Sequence, residues 1–82
     1  MKRAVTLAGP VRGQMRTLPP RVRIRVGNDL LALADTDDPA VMAQPHPDYD
    51  DPFVRRLHGI GYVMTVLVYG HRIVALTVRS DG

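Results

Sequence analysis

Three histidines (His46, His58 and His71), eight aspartates and a single serine, Ser80, are the side chains through which this 82-residue chain would move protons or attack a bond. Cysteine is absent, which excludes thiolate nucleophiles, disulfide staples and cysteine-based zinc sites. A Ser-His-Asp relay would have to rest on Ser80, close to the end of the sequence. The spacing of the histidines and aspartates assembles no acid–base site along the chain. On this inventory the protein is expected to be non-catalytic, with no cofactor and no metal.

Two local patterns invite chemistry and have plainer readings. Asp35-Thr36-Asp37-Asp38-Pro39 and Asp48-Tyr49-Asp50-Asp51-Pro52 repeat an acidic motif thirteen residues apart. Neither has the Gly and distal Glu of a calcium loop, and Pro cuts each one short. Asp before Pro reads instead as a helix start, the carboxylate capping free N–H groups and Pro suiting the first helical position. Short helical turns are therefore predicted from Asp38 through Ala43 and from Asp51 through His58, with Gly59 as terminator. His46-Pro47-Asp48 matches the tripeptide with which J-domains engage their chaperones. Those domains carry a strongly basic helix before it, whereas here the preceding segment is acidic, so it reads as loop.

Charge is sorted along the chain beneath a net value of +3. Lys2, Arg3, Arg12, Arg16, Arg21, Arg23 and Arg25 precede any acid, and the next stretch, 29–51, holds Asp without Lys or Arg. The acidic middle is expected to neutralise the basic N-terminal segment within one small domain, 1–82. Glu is absent and Lys occurs once, whereas Val and Thr are plentiful, a balance that favours pleated surfaces over exposed helices.

The elements that must position these residues are accordingly predicted to be mostly strands. Residues 3–8 read as a strand ended by a Gly9-Pro10 turn, and Gln14 to Leu18 as a second one stopped by Pro19-Pro20. Residues 21–26 alternate strictly, with Val22, Ile24 and Val26 on one side and Arg21, Arg23 and Arg25 on the other. Gly27-Asn28-Asp29 reads as a turn, and the apolar run after it as strand or helix. The basic strands (3–26), an acidic loop and helical-turn segment (29–58) and a C-terminal hairpin (62–78) make up the expected domain.

The hairpin is the clearest piece. Gly70-His71 suits a two-residue II′ turn that pairs Val68 with Ile73, Leu67 with Val74, Val66 with Ala75 and Thr65 with Leu76. Leu67, Val74, Leu76, Val63 and Val78 then share one face, and Val68, Ile73, Val66, Ala75 and Met64 the other. A ribbon apolar on both sides must be covered on both, by its own chain or by another subunit. The expected fold is mainly β: a small rolled sheet or partly open barrel of five to six short strands with one or two helical turns.

Residues 5–19, and above all the turn Ala8-Gly9-Pro10-Val11-Arg12-Gly13, resemble the opening of small proteins encoded by phages and prophages of actinobacteria. Those proteins begin with a strand and a GGPLDG-type turn, followed by a polar strand and a Tyr-rich closing pair. The resemblance implies a phage or prophage origin. Taken with the apolar hairpin and the Arg face, that origin leads to the expectation of a non-catalytic interaction module: a small virion component on a phage capsid or tail protein, or a protein that binds a host factor. Its binding residues would be Arg21, Arg23, Arg25, Tyr62, Met64, Val66, Val68, Tyr69, Arg72 and Ile73, with homo-oligomerisation as one way of covering the hairpin. The alternative is a small single-stranded nucleic-acid binder using the Arg-rich strand face, disfavoured by the central aspartates. No stretch is long and apolar enough to span a membrane, and the N-terminal apolar run is too short for a secretory signal. The expected location is the bacterial host cytoplasm or a virion.

Overall fold

A computed structural model describes residues 2–81; Met1 and Gly82 lie outside the described residues. The elements are β1 (Ala4–Leu7), α1 (Gly9–Arg16), α2 (Pro20–Asp35), α3 (Pro39–Met42), β2 (Ala43–Pro45), β3 (Val54–Gly59), β4 (Tyr62–Val68) and β5 (Arg72–Ser80). The five strands form one sheet in the order β1-β5-β4-β3-β2, with β1 parallel to β5 and the remaining pairs antiparallel. Among the described residues the expected number of strands is met, the sheet is not closed into a barrel, and three helices accompany it where one or two helical turns were expected.

The N-terminal half is where helix replaces predicted strand. Gly9-Pro10 opens α1, and Pro20 is the first residue of α2. A proline read as a stop is equally at home at a helix start, where its missing N–H is not needed. In α2 the buried residues are Val22, Val26, Leu30, Leu33 and Ala34, the spacing of one helical face. The strict alternation over 21–26 is a local coincidence inside this longer period, and Ile24 is left 65% exposed. Gly27-Asn28-Asp29 lies inside the helix, not in a turn. The strand predicted over Gln14 to Leu18 falls mostly within α1, as does the turn implied by the phage resemblance.

The two acidic motifs part company. Asp38 caps α3 as predicted, accepting a hydrogen bond from the Ala40 N–H at 3.2 Å. Asp51 accepts from the Phe53 N–H at 2.9 Å, but the chain then enters β3 instead of a helix. Strand wins because Val54 to Gly59 pairs with β4 along its whole length and with β2 on its other side.

The β4–β5 hairpin keeps the predicted partners Val68–Ile73, Leu67–Val74 and Val66–Ala75. A bulge then intervenes, so that Thr65 faces Thr77 rather than Leu76. One extra residue inverts the side-chain alternation beyond it. Val78 consequently enters the core opposite Met64 instead of joining the other face. Gly70 has no positive φ, so the II′ turn is not formed; among the described residues Gly61 alone has one, at 89°.

The core lies between one face of the sheet and the helices. Val11 of α1 and Val22, Val26, Leu30, Leu33 and Ala34 of α2 meet Leu57, Tyr62, Met64, Val66, Val68, Ile73, Ala75 and Val78. Helices of its own chain thus cover one side of the apolar hairpin. Where β5 runs beyond its pairing with β1, Gln14 Oε1 accepts the Val78 N–H at 2.7 Å, which satisfies a donor on an otherwise open edge.

Candidate functional site

The register places a defined set of side chains on the sheet face turned away from the helices. Across it, Gln44 faces Arg56, Arg56 faces Thr65, and Thr65 faces Thr77. The next row runs from His58 through Val63 to Arg79. A cleft of about 260 Å³ is lined by Arg56, Val63, Thr65, Thr77 and Arg79 on the sheet, and by His46, Asp48 and Tyr49 from the loop after β2. Toward the far end of the same face, Leu67, Tyr69, His71, Arg72 and Val74 line a shallower hollow. Arg56, Arg72 and Arg79 thus stud a face whose floor is made of small and apolar side chains.

The local chemistry is open to a charged ligand. Among the described residues, neither Arg56 nor Arg79 has a carboxylate partner. Other arginines are committed to the fold: Arg3 donates to the backbone oxygens of Tyr69 and Thr36, and Arg55 to that of Ala43. The His46 ring accepts the Asp48 N–H on Nδ1 at 3.2 Å and meets Tyr49 edge-on, with ring centroids 4.8 Å apart. His58 Nε2 is joined to Asp81 Oδ2, with both side chains largely in solvent. Among the described residues no group of three or more His, Cys, Asp or Glu is placed to hold a metal ion.

The residues predicted from sequence divide sharply. Tyr62, Met64, Val66, Val68 and Ile73 are buried in the core and offer no surface to a partner. Arg21, Arg23 and Arg25 are exposed but lie on α2, so the Arg-rich strand face does not exist. Arg21 and Arg25, one turn apart, share a side of that helix, and Arg23 points elsewhere. Tyr69 and Arg72 do reach the open face. Sequence reasoning missed Arg56, Arg79 and His58, because only the pairing of β3, β4 and β5 brings them together.

No protein-family profile matches the chain, and no curated protein matches it at a significant level. Solved structures do. The chain is similar to one in the toxin–antitoxin complex RelBE2 from Mycobacterium tuberculosis, with TM-score 0.74, 17% identity and coverage of 99% of this chain and 100% of that one. It is also similar to a chain of the archaeal RelE–RelB complex from Pyrococcus horikoshii OT3 (TM-score 0.74, 18% identity, 100% and 98% covered). A third likeness is to a chain of the intact RelBE toxin–antitoxin complex of E. coli (TM-score 0.72, 13% identity, 98% of this chain and 98% of that one). The fold is RelE-like.

That finding overturns the reading as a phage virion component or host-factor module, since the whole chain superposes on members of toxin–antitoxin complexes. The exclusion of catalysis falls with it. That exclusion rested on the absence of Cys, the single Ser80 and the spacing of His and Asp along the chain. Each of these similar chains was solved in a complex with a protein partner. No helix among the described residues is long and apolar enough to cross a membrane.

Proposed function

We propose that this protein is the toxin of a toxin–antitoxin pair and acts by cleaving RNA on the open face of its sheet. The observation that carries the reading is the pairing of Arg56 and Arg79, without carboxylate partners, over one cleft on a RelE-like sheet. RNA contains its own nucleophile, the 2′-hydroxyl, so the protein needs only to grip the phosphate, stabilise its added charge and move protons. Arginine suits the first two tasks, because its planar fork matches phosphate oxygens and it stays charged. Tyr49, 55% exposed at the rim, offers an aromatic ring to an unstacked base.

The test is cleavage of end-labelled single-stranded RNA, and of mRNA bound to ribosomes, by the purified protein. Site-specific cuts are expected on at least one of these. The double substitution Arg56→Ala with Arg79→Ala is expected to lower the rate by roughly a hundredfold. Intact RNA in every arm would sink the reading.

The antitoxin-like partner finds a fitting surface on α2. Ile24 and Leu31 are 65% and 51% exposed and lie two turns apart, bordered on one side by Arg21 and Arg25. An apolar stripe edged by arginine suits an amphipathic segment with acidic margins. Growth arrest on expression in bacteria, relieved by a co-expressed protein of that kind, is the expected phenotype. Ile24→Asp with Leu31→Asp is expected to abolish the relief while leaving RNA cleavage intact.

A further inference from the structure

The three histidines differ in what holds them. His46 has Nδ1 occupied by a backbone N–H, and His71 lies in the β4–β5 connection against the Tyr69 ring. His58 is, among the described residues, the only one joined to a carboxylate side chain. We propose that His58, oriented by Asp81, is the general base of the open face, taking the proton from the 2′-hydroxyl of an RNA strand whose phosphate Arg56 and Arg79 hold. This inference rests on the RNA-cleaving reading above and assigns it a proton-transfer group.

Placement supports the role. Arg56 and His58 project to the same side of β3, about 7 Å apart along the strand. Arg79 lies on the same side of β5, two strands and about 10 Å away, with Val63 between it and His58. A phosphate lying over Val63 is thus within reach of both long guanidinium arms and beside the imidazole. Asp81 is held in turn by the backbone, its N–H donating to the Gly61 oxygen at 3.1 Å as β5 leaves the sheet.

The chemistry follows from which nitrogen is engaged. A carboxylate accepts hydrogen bonds, so Nε2 of His58 carries a proton and Nδ1 of the neutral ring keeps its lone pair. Nδ1 takes the proton of the 2′-hydroxyl as that oxygen attacks the adjacent phosphorus. The P–O2′ bond forms while the P–O5′ bond breaks, giving a 2′,3′-cyclic phosphate and a 5′-oxygen that takes a proton from water. The imidazolium formed on the ring is stabilised by Asp81 and later returns its proton to solvent. Asp81 is a positioning residue in this step. An exposed pair of this kind contributes little to stability, so a purely structural role gives it small purpose.

The test uses the full chain with single-stranded RNA and ribosome-bound mRNA, scoring cleavage rate and RNA affinity separately and checking each variant by circular dichroism. His58→Ala and His58→Gln are expected to lose about a hundredfold or more in rate with unchanged RNA binding. Added imidazole is expected to restore part of the rate to His58→Ala. Asp81→Asn is expected to lower kcat with KM unchanged, and Asp81→Glu to recover much of it. If His58→Ala cleaves as fast as the unaltered protein while Arg56→Ala with Arg79→Ala does not, His58 is not the base and the RNA-cleaving reading stands. Loss of RNA binding in His58→Ala, or a block in His46→Ala alone, would equally overturn the assignment. An unaltered protein that leaves both RNA substrates intact removes the underlying reading and this one together.

Discussion

Tyr62 shows how a single residue ties the helical layer to the sheet. Its ring is fully buried and its hydroxyl donates to Asp29 Oδ2 at 2.6 Å, joining β4 to α2. Tyr62→Phe keeps the ring and removes that bond, at a cost of roughly 1.5–3 kcal/mol, measurable by urea denaturation. Burial raises the phenol pKa well above its ordinary value of about 10, and the hydrogen bond and negative charge of Asp29 raise it further. The folded state therefore holds this proton more tightly than the unfolded chain does. That stabilisation is complete below about pH 10 and is lost as the pH climbs past it. The urea midpoint is expected to fall at alkaline pH, and the part of the fall due to Tyr62 to vanish in Tyr62→Phe.

At the scale of elements, the β3–β4 hairpin is the most tightly specified. Gly59 pairs with Tyr62 across a two-residue connection in which Gly61 takes the positive φ that other residues avoid. A Cβ on Gly59 would lie 2.2 Å from Tyr62 Cε1, and one on Gly61 would meet Val22 Cγ2 at 3.0 Å. Gly59→Ala must therefore displace a fully buried ring, and is expected to destabilise by about 2–3 kcal/mol in thermal or urea unfolding. Gly9, Gly13 and Gly27 have open space where a Cβ would go, so Ala there tests the contrast. The same hairpin carries Arg56, His58 and Val63 on its outer side, so its geometry sets the spacing of the candidate site.

For the molecule as a whole, the division of labour between the two sheet faces is the central feature. One face packs under α1 and α2; the other remains open and carries arginines spread over β3 and β5. If the open face takes RNA as proposed, binding of a single-stranded RNA oligonucleotide is expected to weaken steeply with salt, because neutralising its phosphates releases counterions. Replacing Arg56 and Arg79 by Ala is expected to lower affinity and to flatten the log–log salt slope by about 0.7 for each phosphate no longer neutralised. A salt titration by fluorescence anisotropy checks this, and an unchanged slope would place RNA elsewhere on the protein.

How much of this is legible in the sequence depends on how local the cause is. Strand β1, the Asp38 cap, the absence of thiol chemistry and most of the β4–β5 pairing are all readable, since each rests on neighbouring residues or on one hairpin. Helix α2 escapes a local reading because six alternating residues fit a strand as well as they fit part of a helix, and only packing against the sheet selects the longer period. The burial of Tyr62, Met64, Val66, Val68 and Ile73, and the meeting of Arg56, His58 and Arg79 on one face, depend on strands that are distant in sequence. Local pattern determines which side chains are apolar or charged and where the chain can turn. Which of two apolar faces is covered, and which charges are left together in solvent, is decided when the helices choose a side of the sheet.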